Sequence, residues 1–122
     1  MTAPLFAPAG GWVVRIVDLS ASEESDGVEE VRGFATLMHA NAFARAYVRD
    51  SVERFRLPGA SPREVAAAWH VFGEDAEVLE AGDLAWSSVV ELAFFAANPA
   101  PPGSDERDWR SLDPRRLGGA AD

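Results

Sequence analysis

Residues 36–56, TLMHANAFARAYVRDSVERFR, form the longest segment of the chain in which apolar residues recur at helical spacing. A helix advances about 100° per residue, so these residues separate into an apolar and a polar face. The apolar face comprises Leu37, Ala40, Phe43, Ala44, Tyr47, Val48, Val52 and Phe55. The polar face comprises His39, Arg45, Arg49, Asp50, Glu53 and Arg56. The pattern predicts a half-buried helix, with Thr36 as its N-cap, around which the rest of the domain is arranged.

Two strands are predicted before this helix. WVVRIVDL (residues 12–19) is rich in β-branched residues and largely apolar on both faces, which predicts a central strand. VEEVRGF (residues 28–34) interleaves apolar and charged residues, which predicts a solvated or edge strand. The acidic, turn-forming residues 20–27 join the two strands into a hairpin.

A second helix is bounded by clear start and stop signals. Ser61, Pro62 and Glu64 combine an N-cap, a proline in the first turn and the glutamate of a capping box. Gly73 ends the apolar pattern. The predicted buried face of this helix consists of Val65, Ala68, Trp69 and Phe72.

The next two segments are less clearly patterned. Residues 74–83 are acidic with a small apolar centre, which indicates a short strand or an irregular segment. Residues 85–97, AWSSVVELAFFAA, fit either a helix capped by Ser88 and Glu91 or a strand. A helix would scatter the large apolar residues over both sides, so we predict a strand. Its apolar face would consist of Trp86, Val90, Leu92 and Phe94.

The predicted organisation is a flexible leader over residues 1–11, a single α+β domain over residues 12–97 and a proline-rich spacer with a tail over residues 98–122. Ser104 is a candidate N-cap for a short helix in the tail, ending near Leu112. The element order β-β-α-α-β-β predicts a small antiparallel sheet with two helices on one face. The alternative is a chain that is mostly helical beyond residue 35.

Composition narrows the possible chemistry. The chain has 122 residues, 48% of them hydrophobic, which suits one compact domain. It contains no Cys and no Lys, so thiolate nucleophiles, disulfides and lysine-based catalysis are excluded. We expect a soluble, cytoplasmic, bacterial protein, because the sequence has no secretory signal, no run of about 18 apolar residues and a composition typical of GC-rich genomes.

The net charge of −9 argues against nucleic acid as a partner. We expect no appreciable binding of duplex DNA at physiological salt, because the acidic surface repels the phosphate backbone. A fluorescence titration checks this, and sub-micromolar affinity with a steep salt dependence would contradict it. The same charge leaves open a third function, that of an acidic protein that mimics nucleic acid to occupy a basic partner.

Catalytic signatures are sparse. No HExxH, GxSxG or glycine-rich phosphate loop occurs, so we expect no cofactor and no metal site. The two histidines, His39 and His70, lie on different predicted helices. The rival to a binding function is therefore an enzyme or a small-ligand-binding protein whose site assembles in space around one of them.

The candidate binding residues fall into two groups. Arg45, Arg49 and Arg56 project from one side of the long helix, where they would bind an anion or an acidic partner or form a solvated helix face. Trp109 and Leu112 lie in the tail, where they would fold back on the domain or dock on a second subunit. The sequence favours a protein-interaction or regulatory module whose partner is another protein or a second copy. A homodimer would form through the second face of the sheet or the tail.

Overall fold

A computed structural model describes residues 8–21 and 27–116 and has a small α+β fold. Its three antiparallel strands are β1 (Trp12–Asp18), β2 (Val28–Phe34) and β3 (Glu74–Val78). Its three α-helices are α1 (Leu37–Glu53), α2 (Pro62–Phe72) and α3 (Ser88–Ala97). The strand order β2-β1-β3 confirms that β1 is central and that β2 is an edge strand.

The two faces of the sheet differ in chemistry. On the face toward the helices, Val14 lies opposite Val31 and Val78, and all three are buried. On the other face, Arg15 lies opposite Glu30 and Glu77. The second face was predicted to be apolar, but it is charged at its centre and therefore needs no apolar cover.

Helix α1 lies on the sheet and begins as predicted, because the Thr36 hydroxyl accepts the His39 amide at 3.1 Å. The predicted apolar face is confirmed: six of its residues are buried, and Leu37 and Phe55 pack against the core. The polar face is not simply solvated. Arg49 is 1% exposed and the Glu53 side chain is 5% exposed, because α3 and the C-terminal segment cover this side of α1.

Helix α2 begins with the predicted capping box. The Ser61 hydroxyl accepts the Glu64 amide at 3.1 Å, and the Glu64 carboxylate accepts the Ser61 amide at 2.8 Å. Val65 and Trp69 are buried as predicted, but Phe72 is 61% exposed. The prediction was wrong for Phe72, and the aromatic ring that lies against Gly73 at the end of α2 is the Trp69 indole.

The predicted strand over residues 85–97 is wrong, since this segment contains α3 and the sheet has three strands. The Ser87 hydroxyl accepts the Val89 amide at 3.3 Å at the start of α3, and Pro99 follows its end. The inward residues recur at helical spacing and are Ser88, Leu92, Phe95 and Ala96. Val89 and Phe95, which the predicted strand also included, belong to this helix instead.

The C-terminal segment packs on α1. Ser104 caps a short 3-10 turn over Asp105–Arg107, and a second turn covers Arg110–Leu112, so the predicted tail helix is two separate turns. The predicted leader lies partly, and the last six residues entirely, outside the described residues. No helix within residues 8–21 or 27–116 is long and apolar enough to cross a membrane.

Candidate functional site

Arg45 joins α1 to α3 through a bidentate ion pair. Its Nε and one terminal nitrogen donate to the two carboxylate oxygens of Glu91 at 2.7 and 2.8 Å. The Trp86 indole also donates to Glu91, at 2.8 Å. A carboxylate that accepts several charged and neutral donors is stabilised in its ionised form, so the hydrogen bonds from Arg45 lower the pKa of Glu91 below its usual value.

Glu91→Gln tests this pair. We expect a loss of about 1–2 kcal/mol in unfolding free energy at neutral pH, because charge-assisted hydrogen bonds are replaced by weaker ones. The pKa of Glu91 is lowered in the folded state, so the loss should be fully present above about pH 4.5 and vanish as pH falls through the folded pKa. Urea denaturation at several pH values measures it. Glu77→Gln, at an exposed position on β3, is the control and should change stability by less than about 0.5 kcal/mol.

Arg49 and Arg56 bind the backbone at the end of α3. Arg49 donates to the carbonyl oxygens of Phe95 (2.9 Å) and Asn98. Arg56 donates to the carbonyl oxygens of Phe95 and Ala96, both at 2.7 Å. The last carbonyls of a helix lack intrahelical donors and carry partial negative charge. The two guanidinium groups therefore cap the C-terminal end of α3.

Glu53 and the Phe95 ring complete the surroundings of these arginines. Arg56 forms a bidentate pair with Glu53 at 2.8 Å for each contact, and Glu53 also lies 3.6 Å from Arg49. The Arg49 guanidinium stacks 4.7 Å from the centre of the Phe95 ring. Burial lowers the pKa of Arg49, and the nearby Glu106 and Glu53 oppose that effect.

Arg45 and Arg49 lie on α1, and Arg56 lies three residues beyond its last residue. We call these three residues the arginine row, and each of them contacts acceptors within the chain. Binding of an external anion or acidic partner at this row stays a prediction. Such binding would have to compete with the Glu91 carboxylate and with the carbonyl groups at the end of α3.

The tail residues Trp109 and Leu112 lie on α1 in the same chain. The Trp109 ring packs against Tyr47 at 4.9 Å and against Phe43 at 6.1 Å between ring centres. Leu112 packs against the core, and its carbonyl oxygen lies 2.6 Å from His39 Nε2. Whether these two residues also contact a second protein stays a prediction.

The histidines occupy ordinary structural surroundings. The His39 ring meets the Phe34 ring edge-on at 5.0 Å, and His70 is exposed beside Trp69. A depression of about 280 Å³ is lined by the 102–104 loop and by Asp50, Arg107, Asp108 and Arg110, and neither histidine lines it. Within residues 8–21 and 27–116, no three His, Cys, Asp or Glu residues cluster as metal ligands.

One exposed apolar surface was not predicted from the sequence, the outward side of α3. Val89, Val90 and Phe94 are 88, 80 and 52% exposed, and Ala93 and Ala97 are exposed beside them. A helix that is apolar all round is normally buried all round. The only charged residue of α3 is Glu91, which is bonded to Arg45. We call Val90, Ala93, Phe94 and Ala97 the α3 seam.

A signal for this surface exists in the sequence. The four seam residues recur at i, i+3, i+4 and i+7, the spacing of a helix that packs against another helix. The inward residues of α3 recur at a similar spacing. Because both sides of the helix are apolar, the helical period of the apolar residues cannot be recognised in the sequence.

Comparisons of the chain with protein-family models, with curated protein sequences and with solved structures found no match.

Proposed function

We propose that this chain is a small cytoplasmic protein-interaction module, which binds another protein or a second copy through the outward side of α3. The observation that carries the proposal is the exposure of Val89, Val90 and Phe94 on a helix with no outward charge. Contiguous apolar surface on a folded protein marks an interaction site. The absence of Cys supports a reducing compartment.

Two further exposed apolar residues lie near the N-terminal end of α3. The Asn41 side chain donates to the Leu84 carbonyl at 2.9 Å and accepts the Trp86 amide at 2.9 Å. Met38 lies one helical turn before Asn41, so it lies on the same side of α1. Met38 is 81% exposed and Leu84 is 59% exposed, and we include both in the proposed contact.

Site-specific photo-cross-linking tests the proposal. A benzoylphenylalanine at position 90, on the α3 seam, is expected to form a covalent adduct in cells that produce the protein. The matched control places the same group at position 67, which is exposed on α2. Mass spectrometry of the linked peptides identifies the partner, including a second copy of this chain.

The adduct at position 90 should disappear when Phe94→Glu is added, because a charge in the centre of an apolar contact must be desolvated on binding. Equal adducts at positions 67 and 90, or none at position 90, would overturn the proposed function.

A further inference from the structure

The α3 seam has a specific distribution of large and small side chains. Val90 and Phe94 are large, whereas Ala93 and Ala97 are small, and the large and small residues alternate along the helix. When two seams run antiparallel about an axis between residues 93 and 94, each large residue lies opposite a small one. When they run parallel and in register, large residues face large ones and alanine faces alanine, which leaves gaps.

We propose that the occupant of the α3 seam is a second copy of this chain, bound antiparallel about a two-fold axis between Ala93 and Phe94. This inference rests on the proposed function and names its partner. Each Val90 packs on the partner's Ala97, and each Phe94 packs on the partner's Ala93. A two-fold contact uses the same patch on both copies, so the patch must match itself, as this one does.

The α3 seam carries no outward charge that would oppose the binding of a second copy. Two chains of net charge −9 repel one another, so self-association requires a contact surface without outward charge. The α3 seam meets this requirement, because Glu91 is held by Arg45 and Trp86 on the inward side. The outer face of the sheet does not, since its centre carries Arg15, Glu30 and Glu77.

The available area sets the strength of the pair. The outward side of α3 offers roughly 300–400 Å² per copy, so the pair buries about 600–800 Å² in total. Stable complexes bury about 1,200–2,000 Å². We therefore infer a weak, transient homodimer that is populated at high micromolar concentration.

The chain has no Cys, so single cysteines report the contact without background. Packed helices lie about 8–10 Å apart with Cα atoms about 2.3 Å from each axis, which places facing Cα atoms at roughly 4–6 Å. Disulfides need Cα atoms about 4.4–6.8 Å apart. Under mild oxidation of full-length protein, Ala93→Cys is expected to form an intermolecular disulfide, and the control Ala67→Cys, on the exposed side of α2, is not.

A mixing experiment tests the direction of the pair. In the antiparallel pair the two copies of residue 90 lie about 10 Å apart along the helix, because seven residues separate position 90 from position 97. Val90→Cys and Ala97→Cys are therefore expected to stay monomeric alone and to form a mixed disulfide when combined. Circular dichroism confirms that each variant is folded.

The outcomes separate this inference from the proposed function. A disulfide formed by Val90→Cys alone would overturn the antiparallel arrangement. If Ala93→Cys cross-links no faster than Ala67→Cys at high micromolar concentration, the inference that a second copy occupies the seam is overturned. In that case an adduct from position 90 to a different protein would still support the proposed function. The absence of any adduct at position 90 would overturn both the homodimer and the proposed function.

Discussion

Replacing Arg49 by alanine is expected to lower the free energy of unfolding by about 2–4 kcal/mol. The Asn98 carbonyl loses its bond to Arg49, and a cavity opens beside the Phe95 ring. The Phe95 carbonyl and Glu53 keep their contacts with Arg56, which limits the loss. Urea denaturation, read as a shift of midpoint at constant m, measures the effect.

Two variants separate the causes of this loss. Arg49→Met keeps most of the side-chain volume but none of the hydrogen-bond donors, so the free energy of unfolding should fall by about 1–2 kcal/mol. Arg54→Ala is the matched control near the end of the same helix, because its side chain is 46% exposed and its ion pairs are long, at 3.4 Å. We expect a change of less than about 1 kcal/mol for Arg54→Ala. A midpoint of Arg49→Ala equal to that of Arg54→Ala would contradict the capping role.

The contacts of this arginine row could not be predicted from the sequence. Local spacing predicted that Arg45, Arg49 and Arg56 lie on one side of the long helix, but α1 ends at Glu53 and Arg56 follows it. Their acceptors at the end of α3, however, are backbone carbonyl groups, and the contact from Arg49 to Phe95 spans 46 residues. Every residue has a carbonyl group, so no residue type marks the acceptor. A row of arginines with distant backbone acceptors therefore has the same sequence pattern as a solvated face.

Local signals were reliable where one physical effect dominated. The capping box at Ser61 and Glu64 and the β-branched strand β1 were confirmed because each depends on neighbouring residues. The segment that became α3 was predicted as a strand because its outward side is as apolar as its inward side. Amphipathic periodicity assumes that one side faces water. Where a second partner is available, that assumption fails, and the failure itself points to a contact surface.

Trp69→Ala is expected to cause the largest loss of stability, about 3–5 kcal/mol, the usual range for a buried large aromatic residue. Trp69 is 1% exposed, and its indole donates to the Glu74 carbonyl at 3.2 Å at the start of β3. The ring also lies against Gly73, where any added Cβ would be 2.3 Å from Cδ1. Its removal therefore leaves a cavity between α2 and the sheet, and it frees the turn that joins them.

Phe72→Ala is the matched control for this change, because it removes an aromatic ring from the same helix at a position that is 61% exposed. An exposed ring contributes little to burial, and alanine favours the helix, so we expect a change of less than about 1 kcal/mol. Urea denaturation of both variants decides between the two positions.

By sequence spacing Trp69 and Phe72 were predicted to share one buried face, which predicts similar losses for the two variants. The structure predicts a difference of at least about 2 kcal/mol, since only Trp69 leaves a cavity. Equal midpoints would show that Trp69 does not support the core in the way its contacts indicate.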